Sequence, residues 1–278
     1  MPRDLADVLH YFLPELESEV PRAPGPPRAA GFEETPDAGS APAKQSARGL
    51  PLPILGVPIG DRDVVRAALA WNLAIETARL GGAAVLVAPS GDVGSPLWPE
   101  PGPGPLGSEL VLCPARTLAE LYEAASELAV RLGEKSRHGG IVFVRIPPGW
   151  LAPGRAPDDL FRWLLLLTSA NRRDLGEAHE LARTLLETSP RAEIGVTIHG
   201  VESIAQARGA FDHLTRIGQE QLGLVPISYG LLVDDLHVYR AIAAQRPIGL
   251  AHPQAPATRA LRDVARLLYE DARSRVLG

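Results

Sequence analysis

Cysteine occurs once in 278 residues, at Cys113, so neither an internal disulfide nor a cysteine-built zinc cage can form. Histidine is scattered over seven positions, none at metal-ligand spacing with another. Lysine and arginine form no runs, and the formal charge of −5 is well mixed along the chain. A nucleic-acid binder needs a basic face to displace phosphate counterions, so no nucleic-acid partner is expected. Long apolar runs are missing too. Runs such as Trp163 to Leu167 are far short of the roughly 20 residues that cross a bilayer. The N-terminus carries Asp4 and Asp7 inside its apolar stretch and lacks the basic-then-apolar order of a signal peptide. No G-x-S-x-G elbow motivates a serine hydrolase, and there is no internal repeat. These absences leave a cytoplasmic globular protein as the expectation, and an apolar fraction of 45% supplies a substantial core.

What is present divides into three zones. In residues 1–17, Leu5, Val8, Leu9, Phe12, Leu13 and Leu16 recur at helical spacing behind Asp4 as an N-cap, and Pro14 ends the regular helix. Such a short amphipathic peptide suits docking into a groove. The plainer alternative is that it folds back on its own domain. Residues 18–49 are rich in Pro, Ala, Gly and Ser and nearly devoid of apolar side chains, so they read as a disordered linker. As a flexible coil its ends would lie on the order of 30 Å apart.

Residues 50–278 alternate strand and helix. Strands are expected at 53–58, 83–88, 109–113, 141–146, 163–168, 193–199 and 227–232, with helices at 63–80, 117–133, 175–188, 203–221, 235–245 and 256–275. Strands apolar on both faces, separated by crossover helices, imply an α/β fold with a mostly parallel central sheet covered on both faces. Residues 89–107, crowded with Pro and Gly, are expected to be an irregular surface loop.

Three stretches carry a resemblance: Tyr229 to Leu261 (YGLLVDDLHVYRAIAAQRPIGLAHPQAPATRAL), Val196 to Leu214 (VTIHGVESIAQARGAFDHL) and Ala70 to Ala88 (AWNLAIETARLGGAAVLVA). In order and pattern they resemble the MinD/FlhG branch of the ParA-like P-loop ATPases. The resemblance implies a P-loop NTPase fold and, in the family, ATP held by a loop reading G-x-x-x-x-G-K-[ST] with a second lysine after the first glycine. Here that segment is Gly60-Asp61-Arg62-Asp63-Val64-Val65-Arg66-Ala67. The signature lysine falls on Asp61 and the second glycine on Val65, which tolerates a left-handed backbone poorly. The P-loop lysine falls on Arg66 and the magnesium-binding hydroxyl on Ala67. The family's Asp-x-Pro-x-Gly motif falls on Arg145-Ile146-Pro147-Pro148-Gly149, a guanidinium in place of the carboxylate. The strand that usually ends in an aspartate-rich turn reads Val87-Ala88-Pro89-Ser90-Gly91-Asp92.

Asp61 and Asp63 would lie where triphosphate charge belongs. One contact at about 4 Å costs roughly 1 kcal/mol hydrated and roughly 4 at an effective dielectric near 20. The expectation is a degenerate member that binds no cofactor or metal and is not an enzyme. Arg66 and Arg145 either hold some anion together or are ordinary salt-bridged arginines. Asp234 and Asp235 look like an acid pair, but an N-cap role is the plainer one. His199 falls near the position of the family's adenine-contacting Asn, and Cys113 is expected to be a buried thiol. The final helix carries Leu261, Val264, Leu267 and Leu268 as a stripe. Because Asp263, Glu270 and Asp271 dilute its basic face, it is expected to pack on the fold rather than enter a membrane.

FlhG-like proteins use a short N-terminal helix to engage a partner, so the resemblance implies a protein partner here too, through Leu5, Val8, Leu9, Phe12 and Leu13. Family dimerisation implies a homodimer, or a heterodimer with an active MinD/ParA-like ATPase. The expected function is regulation or scaffolding of a polar, flagellar or cell-division machine. A nucleotide-responsive switch and a membrane-surface adaptor are the alternatives.

Overall fold

A computed structural model describes residues 51–92, 99–151 and 160–277. The docking peptide at 1–17 and the linker at 18–49 lie outside these. The core strands are β1 (Ile54–Pro58), β2 (Ala83–Pro89), β4 (Glu109–Cys113), β5 (Gly140–Ile146), β6 (Trp163–Ser169), β7 (Glu193–Val201) and β8 (Ile227–Val233). With the two-residue β3 (Gly102–Pro103) they form one sheet in the order β3-β4-β2-β5-β1-β6-β7-β8. Every pairing is parallel except β3 with β4. The interior strands are apolar because they have no wet face. In β5 every residue is buried, and in β6 all but the last.

The helices are α1 (Val64–Arg79), α2 (Leu118–Gly133), α3 (Arg172–Thr188), α4 (Ile204–Leu222), α5 (Leu236–Ala243), the one-turn α6 (Ile248–Ala251) and α7 (Pro256–Leu277). α2 shows why they form. Thr117 caps it, Leu118, Leu121, Ala125 and Leu128 bury one stripe, and Glu120, Glu123 and Glu127 stay exposed. From β1 the chain moves along the sheet in one direction to β2, and from β4 onward it moves in the other. Right-handed crossovers therefore put α1 on one face and α2, α3 and α4 on the opposite one. α7 packs against α1 and β8, where Leu261, Val264, Leu267 and Leu268 are all buried. Its apolar stripe is thus spent inside the fold.

Two features differ from expectation. Residues 89–107 are not wholly irregular: Gly102–Pro103 adds an antiparallel edge strand against Leu110 and Glu109. Gly102, at φ 129°, makes that turn possible where another residue would be strained. Helix α3 also starts three residues earlier than expected, because Asn171 accepts the Asp174 N–H at 2.9 Å and caps it. Close backbone approach fixes one further position. A Cβ at Gly140 would lie 2.0 Å from the Ala83 carbonyl, so β2 and β5 can pair there only over a glycine.

Candidate functional site at the carboxyl ends of the strands

In open parallel sheets the ligand crevice lies beyond the carboxyl ends of the strands, where the chain's direction along the sheet reverses. In this molecule that point is between β1, which leads to α1 on one face, and β6, which leads to α3 on the other. The loop from Ile59 to Asp63 and the start of α1 sit over it. Ile59 N–H bonds the Ile146 carbonyl at 3.0 Å, and Asp63 N–H bonds the Gly60 carbonyl at 3.1 Å, closing a tight turn.

Asp63 is the N-cap of α1, and its carboxylate accepts the Arg66 N–H at 2.9 Å. An amide that elsewhere could face a bound anion is satisfied by the chain's own side chain. Val65, Arg66 and Ala67 are therefore residues of the first helical turn. Ala67 is fully buried, with its methyl in the core. Gly60 is not demanded by packing, since a Cβ there would meet nothing within 4 Å.

Arg66 is only 6% exposed. Its Nε lies 3.2 Å from Asp63 Oδ2, its Nη2 3.5 Å from Asp174 Oδ2, and its Nη1 3.2 Å from Glu177 Oε1. Asp174 and Glu177 belong to α3, so this one guanidinium stitches α1 to α3 across the crevice. Arg145, at the end of β5, is 1% exposed and donates from Nη2 to Asp61 Oδ1 at 3.2 Å. The two arginines thus face separate carboxylates of this chain. Pro147 is buried at the start of the short turn Pro148–Trp150, and Gly149 is exposed with open space around it.

Beside the crevice, His199 at the end of β7 joins Val65, Leu232, Asp234, Val238 and Tyr239 around a cavity of about 20 Å³, room for about one water molecule. Burial pushes the His199 imidazole down to about 4, and the nearby Arg66 charge adds to this against Asp63 and Asp174. The ring is neutral near pH 7. Asp235 caps α5: Oδ1 accepts the His237 N–H at 2.9 Å and Oδ2 accepts the Ala257 N–H at 3.2 Å. Burial raises its carboxyl, but these bonds and the His237 ring outweigh that and hold it below the usual range. Cys113 is buried at the end of β4. Among the described residues no cluster of three or more His, Cys, Asp or Glu could hold a metal ion, and no helix is long and apolar enough to cross a membrane.

Sequence reading alone places Gly60, Asp61, Asp63, Val65, Arg66 and Ala67 on one loop and turn, with Arg145 beside it. The same reading missed Asp174 and Glu177. Their only signal is an acidic first stretch in a helix far along the chain. Leu5, Val8, Leu9, Phe12 and Leu13 lie outside the described residues.

The sheet order and the strand-loop-helix unit at its centre define the class, the P-loop NTPase fold of the MinD/ParA type. Among solved structures the chain is similar to the MinD cell division protein of Aquifex aeolicus, with a TM-score of 0.56 and 16% identity over 78% of this chain and 97% of that one. It is similar also to the MinC:MinD complex of that organism, with a TM-score of 0.55 and 15% identity over 78% and 96%. A third likeness is to a ParA family ATPase from Chlorobium tepidum TLS, with a TM-score of 0.51 and 14% identity over 80% and 100%. Identities this low carry the fold and nothing finer. By sequence, neither a family model nor a curated protein matches the chain.

Proposed function

We propose that this chain is a non-catalytic MinD/ParA-like protein that regulates or scaffolds by protein–protein contact, in positioning or cell division. The observation that carries the reading is the cage around Arg66, the residue at the P-loop lysine position. Asp63, Asp174 and Glu177 surround it, so its charge is committed within the chain. Asp61 does the same for Arg145. A triphosphate entering here would have to displace four carboxylates and would meet no magnesium-binding hydroxyl at Ala67. Phosphoryl transfer depends on positioning and charge neutralisation, and neither is provided. Partner binding is supported by the docking stripe Leu5, Val8, Leu9, Phe12 and Leu13 in the sequence, and by the MinC:MinD complex among the similar structures. A second copy of the chain, or an active ATPase of the same fold, is a partner of the same class.

Titration calorimetry of the full chain with ATP and magnesium tests the reading. The expected result is no binding heat at nucleotide concentrations up to about 1 mM, a Kd weaker than roughly −4 kcal/mol in free energy. Micromolar binding would replace it with a nucleotide-responsive switch, and phosphate release from ATP at a steady rate would overturn it altogether.

A further inference from the structure

At the end of the sheet opposite Arg66, where the strands begin, lies an open groove of about 770 Å³. Its walls are Pro51–Ile54, Tyr122 and Val130 of α2, Trp163, and Val276 of α7, with Arg162, Arg191, Arg275 and Glu193 at the rim. Val130 is 48% exposed, a large apolar side chain facing water. The floor is firmly built. Trp163 Nε1 donates to Tyr229 Oη at 2.9 Å, Tyr229 donates to Asp271 Oδ2 at 2.7 Å, and the Arg275 guanidinium lies 4.5 Å over the Trp163 ring. Arg275 also pairs with Glu193.

We propose that the apolar stripe of residues 4–16 seats in this groove of its own chain whenever no partner holds it, so that the protein masks its own docking segment. Three observations select that occupant. The first is tethering: Pro51 is itself part of the groove wall, so the segment is attached at the rim. The intervening 33 residues, 18–50, are a length of chain ample for a site that begins where they end. The second is polarity: Leu5, Val8, Leu9, Phe12 and Leu13 recur at helical spacing in the sequence, and the groove offers aromatic and aliphatic walls of matching character. The third is charge: residues 1–17 carry Asp4, Asp7, Glu15 and Glu17 against Arg3, while the rim carries three arginines against one glutamate.

A tether of this length supplies an effective concentration in the millimolar range. A contact with an intrinsic Kd near 0.1 mM would then be about ten-fold in favour of the closed form. An outside partner must bind the stripe by more than that factor to open it, so the groove sets a threshold for partner capture. The inference rests on residues 4–13 being the docking element of the proposed function. Its test uses no partner, so its failure would leave that reading standing.

The experiment is disulfide trapping in the full chain, where the native thiol Cys113 is buried. Ala6→Cys, beside the stripe and not in it, is combined with Val130→Cys in the groove or with Leu250→Cys, an exposed residue of α6 on the other face of the sheet. The expected result is an intrachain disulfide that forms at least about ten-fold faster with position 130 than with position 250. Adding Leu9→Asp and Phe12→Asp to the first pair is expected to remove that advantage. Equal rates at the two positions would overturn the proposal by showing a segment with no preferred seat. Disulfide-linked dimers in place of crosslinked monomers would overturn it in favour of a second copy in the groove.

Discussion

The two ends of the sheet are built from the same strands and have opposite characters. Where the strands finish, Arg66 and Arg145 are neutralised by four carboxylates of the same chain, and the neighbouring cavity has room for about one water molecule. Where the strands start, a groove of about 770 Å³ stands open with three arginines at its rim. The end at which parallel sheets ordinarily take ligands is the closed one. In this chain the arginines of that crevice are paired with its own carboxylates, while those of the other end line an open groove.

The sharpest way to break this contrast is to remove the floor of the open end. Trp163→Ala deletes a side chain only 2% exposed and strips Tyr229 of its indole partner. It is expected to lower stability by roughly 3–5 kcal/mol in urea unfolding. A loss below about 1 kcal/mol would mean the floor is loosely packed.

At the closed end, His199 gives a pH-dependent counterpart. Its folded value of about 4 lies below the ordinary 6.5, so the unfolded chain binds the proton first as pH falls. Stability is unaffected by this group at pH 7 and is lost between about pH 6.5 and 4, by up to roughly 3 kcal/mol. Replacing His199 with Gln is expected to flatten that part of the stability-against-pH curve. Identical curves for the two proteins would show that the imidazole titrates alike in the folded and unfolded chain.

The smallest expected effect sharpens the idea that charge closes the crevice. Arg66→Ala leaves Asp63, Asp174 and Glu177 facing one another, all partly solvated, and is expected to lose about 2 kcal/mol, less than a fully buried pair would. Because mutual repulsion is then the cause, about 0.5 M salt should restore part of the loss in the variant. A salt-independent loss would assign it to packing of the arginine stem instead.

Much of the architecture could be read from periodicity. The stretches Gly140–Val144 and Trp163–Leu167 are too uniformly apolar to be anything but doubly covered strands, and α2 shows its stripe directly in the spacing of its leucines. The edge strand at Gly102–Pro103 was illegible, since both residue types ordinarily argue against a strand and only a positive φ at Gly102 reconciles them. The residues of the candidate site were legible one by one, because the strand-loop-helix pattern fixes them in order. Their partners were not. Whether Arg66 would meet solvent or carboxylates depended on α3, 111 positions away for Glu177. The groove was hidden for the same reason, since its walls come from segments scattered between Pro51 and Val276.

Asp235 ties the two ends of the sheet together through one helix. By accepting the Ala257 N–H it pins the first turn of α7 beside the closed crevice, while Arg275, near the other terminus of the same helix, leans over the groove floor. The stretch between them is about 27 Å of continuous helix. One continuous helix therefore joins the two ends of the sheet, held at one tip by a carboxylate and reaching at the other to the guanidinium that stacks on Trp163.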